Sequence, residues 1–478
     1  MLQLRAVPTF FESLGRDLLG DDNRAKRVLA CLACLIVTTL LGYGYASQVH
    51  VQGWQLWVWV LCVFITLVAL FPTTPPPLKS ERTWIWLGII FVAAFFLRAL
   101  FLETIPGGLH TDETGTAGFS MLQVTPFSSK TINPFRTGPA SWPVLYYYIE
   151  RVSMGLFGAT ITGLRLPSAF IGALSVVTTY GLIAVMQDKK TALIAAVLMV
   201  TFPYHLHWSR LALNNIWDSV WVPLMLGAFV WGWETRWSGG AVVAGFAVGM
   251  SQYFYLGSKL GLFMLGMLIL QIWFQTAAAE RPVLIVHLGK LVLTAAVIAA
   301  PLFMFVISNP AAYLTRTNEA YGWSVEAIRT ISPDLNVWNY FWHQLTYSVG
   351  AFNVYPDVTG FYGPGTPLLI GIASPLFVIG FLWATYERQF LPVLWIVLTV
   401  IFGGILLSGA PSSSHFAVSM PAMVWLIAIP LGWLVRRGHW RLAAAVIALI
   451  ILTDLAFYFG VYVPGHPRDL KYPFPTSG

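Results

Sequence analysis

About thirteen times between Val28 and Tyr462 the sequence enters an almost unbroken apolar run, and this recurrence limits the fold more than any other feature. Approximate bounds are 28–47, 54–72, 84–102, 163–185, 191–204, 215–233, 240–255, 259–275, 284–307, 367–385, 390–408, 417–435 and 441–462. Most approach the roughly 20 residues with which an α-helix crosses a hydrocarbon core. The fifth and seventh are short, as expected of tilted, broken or re-entrant pieces. Backbone in lipid must satisfy its own hydrogen bonds, so such runs form helices. Charged residues make up 10% of the chain, against about 25% in soluble proteins. The expected fold is therefore an all-α polytopic membrane protein with about 13 transmembrane helices. The 21 Trp, 19 Tyr and 32 Phe suit interfacial belts.

The formal net charge of +7 is spread in small clusters between apolar runs, which argues against nucleic-acid binding. With the N-terminus in the cytoplasm, Arg24, Lys26 and Arg27 precede the first run. Lys79 and Arg82, Lys189 and Lys190, Arg236, Arg281, Arg388, and Arg436, Arg437 and Arg441 then fall on that same side. Short connections on the other side carry only Arg210 and Lys259 as exceptions. Two long connections, 103–162 and 308–365, fall on the outer face, and their aromatic, Gly and Pro content predicts folded loops over a site, carrying interfacial helices. The division expected is a cytoplasmic amphipathic lead (1–27), two N-terminal spans (28–83), a catalytic module (84–462) and an extracytoplasmic tail (463–478). Phe10, Phe11, Leu14 and Leu18 give the lead its apolar face, and Pro75–Pro77 form a stiff turn. Cys31, Cys34 and Cys62 lie within apolar runs and are expected to be packing residues.

The unusual polar residues gather at the outer ends of the runs. "GLHTDETGTAG", Gly108 to Gly118, sets Asp112 beside Glu113. Thr111 opens a helix running through Met121, with both acids in its first turn, where the helix dipole favours them. A carboxylate at a membrane–water boundary is also a ready general base. Tyr146, Tyr147 and Tyr148 are expected in the headgroup zone on an interfacial helix, and Arg165 at the mouth of the next run, snorkelling or lining the substrate cavity. "YHLHWSRLALNNIWDS" brings His205, His207, Arg210 and Asn214 to one connection as a polar floor. His205 and His207 are two apart, on different helix faces, so a metal pair is not indicated. Lys259 stands alone at an outer end, where a phosphate would satisfy it. His415 lies at another mouth, as a phosphate or hydroxyl partner or a capped interfacial histidine. This convergence is the pattern of an active site between a helix bundle and its loops.

In order and topology these motifs resemble the polytopic glycosyltransferases of the GT-C class, from about Trp84 to Trp433. Within it they resemble the protein mannosyltransferase and aminoarabinose transferase family, which uses polyprenyl- or dolichyl-phosphate sugars. The carrying residues are Arg98, Pro106 and Asp112-Glu113; Trp142-Pro143 with Tyr146 to Tyr148; Arg165 to Ser168; and Ser209-Arg210. Tyr253, Tyr255, Gly257 and Lys259 follow, then Gly365, Pro367, Leu368 and Leu369. The resemblance implies that Asp112, paired with Glu113, acts as general base on the acceptor. It implies that Lys259 and Arg210, with His415 nearby, hold the donor phosphate, and that transfer inverts the sugar. Tyr146, Arg165, His205, His207, Asn214, Tyr253 and Tyr255 would line the substrate cavity. Asn214 and Asn215 stand where many relatives carry a second acid, so no metal and no other cofactor is expected. The expected partners are a polyprenyl-phosphate-linked sugar, an acceptor protein, lipid or glycan, and membrane lipids, at a bacterial plasma (inner) membrane. Rival readings are a lipid-linked-sugar transporter or flippase, which calls for midplane charges and an internal repeat, and a non-catalytic subunit of a membrane complex.

Overall fold

The computed structural model describes residues 24–72, 81–126, 128, 130–357, 359–363 and 365–465. The amphipathic lead up to residue 23, the Pro75–Pro77 turn and the tail beyond residue 465 lie outside the described residues. Almost all regular structure is helical, apart from one two-residue strand pair, in which His50–Val51 runs antiparallel to Thr131–Ile132.

Among the described residues six helices are long and apolar enough to cross a membrane. The bent pair Ala373–Tyr386 and Phe390–Ile405, turned by 119° at its break, adds a seventh span if counted as one. Trp54–Leu70, Thr83–Ala99 and Gly239–Ser251 are apolar but shorter. Several of the thirteen runs thus become short helices, and one cause is visible in the sequence. Lys189–Thr201 is only 13 residues long. Its successor Pro203 lacks an N–H and drives Phe202 out of the helical region, to φ −49° and ψ 111°.

Contacts divide the chain into two compact units. The first comprises Met1–Ile85, Phe119–Arg151 and Leu224–Leu314. In it Arg24–Tyr45, the first N-terminal run, packs on Trp54–Leu70 and Arg281–Ser308, and Gly239–Ser251 packs on Arg281–Ser308. Small residues set the approach: a Cβ on Gly245 would strike the Leu291 backbone, and one on Gly42 the Pro301 backbone. Trp59 Nε1 and Tyr253 Oη both donate to the Ile298 carbonyl, at 3.0 and 2.8 Å. Cys34 and Cys62 are buried together against Val297.

The second unit comprises Trp86–Gly118, Val152–Pro223 and Thr315–Gly478. Met420–Arg436 is its central helix, buried along almost its whole length. Against it pack Lys189–Thr201 and Ala373–Tyr386, the latter so closely that a Cβ on Gly380 would collide with the Leu426 carbonyl. Thr160 caps Ile161–Met186 by accepting from Gly163 N at 3.1 Å. Asp188 caps Lys189–Thr201 through Lys190 N and Thr191 N, both at 2.9 Å, and also pairs with Arg436 at 2.6 Å.

The two long connections are structured. The first carries Thr111–Gln123 and Leu145–Phe157; the second carries Pro310–Ala320, Val325–Ile331 and Val337–Gly350. Tyr146, Tyr147 and Tyr148, expected in a headgroup zone, are instead buried at 0%, 1% and 3% exposure. Consecutive helical positions point in three directions, and here all three are enclosed. Tyr148 Oη donates to the Ile132 carbonyl at 2.6 Å, and Phe119 lies 4.6 Å from Tyr147 between ring centroids.

Candidate active site

The acid pair opens the Thr111–Gln123 helix as the sequence implies, and both carboxylates sit in its first turn. Their surroundings differ. Glu113 is fully buried and accepts four hydrogen bonds. Arg165 Nε reaches Oε1 at 2.8 Å and Arg165 Nη2 reaches Oε2 at 3.0 Å. Ala212 N donates to Oε1 at 2.8 Å and His110 N to Oε2 at 2.9 Å. Burial alone would raise this carboxyl, but the Arg165 guanidinium and the two backbone N–H groups outweigh it and hold it below the ordinary glutamate value. Asp112 is half-buried. Its backbone N–H donates to His110 Nδ1 at 3.1 Å, and its carboxylate has no hydrogen bond or ion pair among the described residues. One acid is a strut; its neighbour is open.

Two arginines, Arg165 and Arg210, immobilise the segment that leads to this turn, and a third, Arg98, ties the helix before it to residues 199–209. Residues 100–110 have little regular structure, so their carbonyls need donors from elsewhere. Arg98, Arg165 and Arg210 are at most 1% exposed, and each guanidinium offers five N–H groups. Besides Glu113, Arg165 serves the carbonyls of Leu102 at 3.0 Å, Pro106 at 2.9 Å and Gly108 at 2.5 Å. Arg210 gives all five to the carbonyls of Leu97, Arg98, Leu100 and, twice, Ile105, between 2.5 and 3.1 Å. Arg98 binds the carbonyls of Ala94, Val200 and Met199, Ser209 Oγ and His205 Nδ1. Since Arg98 is only a donor, His205 Nδ1 accepts, and its Nε2–H faces Ser175 Oγ at 2.8 Å. Burial, then the Arg98 charge, keep this imidazole neutral, well below its ordinary value.

The second long connection reaches the same place. Phe361 stacks on His110 with centroids 4.6 Å apart, and on Trp208 at 5.8 Å. Its carbonyl meets His207 Nε2 at 2.9 Å. Asp357 anchors this turn: Oδ1 accepts from Thr359 N, Thr359 Oγ1 and Ser413 N, and Oδ2 from Ser413 Oγ at 2.6 Å and Tyr362 N at 3.1 Å.

The second unit thus brings together Asp112, Glu113, Arg165, His205, His207 and Arg210. Arg165 neither snorkels nor lines an open cavity, because its whole fork is used inside the protein. Arg210 has no N–H left for the phosphate expected of it, for the same reason. Asn214 is in the same unit, fully buried, with neither side-chain polar atom hydrogen-bonded among the described residues; Asn215 Nδ2 donates to the Ser414 carbonyl at 3.1 Å. His415 is half-buried in the Ser413–Phe416 turn. Tyr146, Tyr253, Tyr255 and Lys259 belong to the first unit, where Tyr253 is a core residue and the Lys259 ammonium lies 5.4 Å from the Tyr313 ring centroid. Among the described residues no three His, Cys, Asp or Glu side chains gather as a metal ion requires. His110, Phe361, Trp208 and Asp357 were not expected at the site. His110, two residues before Asp112, and Trp208, inside "YHLHWSRLALNNIWDS", stood within the motifs.

Residues 141–305 match the family model of dolichyl-phosphate-mannose-protein mannosyltransferases. ArnT from Cupriavidus metallidurans, solved with undecaprenyl phosphate bound, superposes with a TM-score of 0.51 at 15% identity, over 80% of this chain and 72% of that one. The chain has the GT-C glycosyltransferase fold. Apo ArnT gives the same TM-score at 14% identity, over 79% of this chain and 65% of that one. The archaeal oligosaccharyltransferase AglB from Archaeoglobus fulgidus, in complex with an inhibitory peptide and a dolichol-phosphate, matches at 16% identity and a TM-score of 0.45, over 82% of this chain and 57% of that one. No curated protein sequence matches the chain. Residues 141–305 thus resemble the mannosyltransferase family, the fold is similar to that of ArnT, and the protein is a multi-pass membrane protein.

Proposed function

We propose that this protein is a membrane glycosyltransferase that moves a sugar from a polyprenyl-phosphate carrier to an acceptor on the extracytoplasmic face. The carrying observation is the division of labour in the acid pair: Asp112 is open and unpaired among the described residues, while Glu113 is locked beside it. Asp112 takes the proton of the acceptor hydroxyl or amine. The acceptor O or N then bonds to the anomeric carbon as the bond from that carbon to the phosphate oxygen breaks. The lipid phosphate leaves with the electron pair and the configuration inverts. The charge pattern of the connections supports an outward-facing site, where nucleotide sugars are not supplied and a donor must already have crossed the bilayer. The GT-C fold supports the same class of reaction.

The test is Asp112→Asn in membranes supplied with a polyprenyl-phosphate sugar. Transfer falls by about 10²–10⁴-fold while the amount of folded protein stays at wild-type level. A variant with full transfer removes the base assignment. Lipid-linked sugar that crosses vesicles without being transferred would favour a flippase.

A further inference from the structure

The turn around Phe361 is placed oddly for a loop that serves an open site. Its ring lies nearly parallel to two others, 26° from His110 and 28° from Trp208. His110 is the residue whose Nδ1 receives the Asp112 N–H and whose N–H serves Glu113. Phe361 therefore covers the ring that accepts the Asp112 backbone N–H. Trp208 is fully buried, yet its Nε1–H has no hydrogen-bond partner among the described residues. A buried indole N–H ordinarily finds an acceptor, and an aromatic side chain such as Phe361 cannot supply one. The pair thus offers a flat apolar surface, a donor without an acceptor and a carboxylate nearby. A sugar ring matches all three, with its C–H face on the aromatics, a hydroxyl for the indole and its anomeric carbon near the acid.

We propose that Phe361 is an internal plug. It fills the place beside His110 and Trp208 that the donor's sugar takes, and the sugar binds by displacing it. This rests on the reading of Asp112 as part of a glycosyl-transfer site and adds where the sugar lies and what guards the place. Tyr362, the next residue, is buried among the rings of Tyr204, His207 and Tyr462; the other anchors of the turn are polar, the half-buried Asp357 carboxylate on Thr359, Tyr362 N and Ser413, and the Phe361 carbonyl on His207. Such bonds exchange readily for water or for sugar hydroxyls at little net loss.

Binding without acceptor separates this idea from the chemistry. Two probes are compared, a polyprenyl-phosphate sugar and the same polyprenyl phosphate without sugar. Phe361→Ala should bind the sugar-bearing lipid about three- to tenfold more tightly, the range of one or two displaced aromatic contacts, and the bare lipid phosphate as wild type does. Equal changes for both lipids, no change, or weaker binding of the sugar-bearing lipid overturn the plug. A measurement on the wild-type chain covers the case of a variant that does not fold. Backbone hydrogen exchange at residues 359–363 should rise with the sugar-bearing lipid and stay unchanged with the bare one. Protection or indifference with the sugar-bearing lipid overturns the proposal. Because no transfer is measured, an inactive or active Asp112→Asn variant leaves these outcomes untouched.

Discussion

At the scale of single residues, the loss of Glu113 should be felt strongly in stability. It is a fully buried carboxylate paired with a fully buried guanidinium, and removing one partner strands the other. Glu113→Gln should cost about 3–5 kcal/mol, read as a lower melting temperature of the detergent-solubilised protein; a wild-type melting curve would contradict the pairing. The same residue sets a pH dependence. Its folded value is depressed, so its stabilisation is fully present above the ordinary glutamate value of 4.5 and is lost as pH falls through the lower folded value. Melting temperature should therefore drop below about pH 4.5 in wild type, and drop less steeply in Glu113→Gln. An equal fall in both would refute this source of acid lability. The acid pair and its place at a helix start were legible in the sequence, because Thr followed by two acids is a local signal. The fate of Arg165 and Arg210 was not. A basic residue at the end of an apolar run reads the same whether it reaches for headgroups or turns inward to carbonyls. Phe361 and Asp357 were out of reach for another reason: nothing local in "YPDVTGFYG" says which distant segment it will rest on.

At the scale of elements, close helix contact is set by glycines that look ordinary in an apolar run. Ala373–Tyr386 meets the central Met420–Arg436 helix at Gly380, where the Leu426 carbonyl fills the space a side chain would need. Gly380→Leu should destabilise the protein by roughly 1–3 kcal/mol or more, seen as reduced yield of monodisperse material and a lower melting temperature. Unchanged melting would mean that the two helices are not held at this distance. Helix existence was legible from hydropathy. Helix length was less so, because hydropathy counts apolar residues and does not register a break such as Phe202-Pro203. The burial of Tyr146 to Tyr148 was hidden similarly: a tyrosine run suits a headgroup belt and a packed core equally well.

For the whole molecule, the distribution of basic residues proposes an orientation. A cysteine introduced at Thr359 and one at Arg388 lie in connections expected on opposite sides. A membrane-impermeant thiol reagent added to intact cells should label the first and leave the second, with the native Cys31, Cys34 and Cys62 silent because they are buried. Labelling of both, or of Arg388→Cys alone, would reverse the topology and with it the argument for a lipid-borne donor. Arg165 and Arg210 grip main-chain carbonyls, so the geometry of the segment before Asp112 is specified without reference to its side chains. The gripped positions Leu97, Leu100, Leu102 and Ile105 are free to drift in sequence as far as this grip is concerned. The gripping positions have no such latitude: a lysine keeps the charge but offers three donors where five are in use. Variation among related chains is thus channelled to the held residues and away from the holders, which lets the approach to the acid be re-shaped without moving the acid.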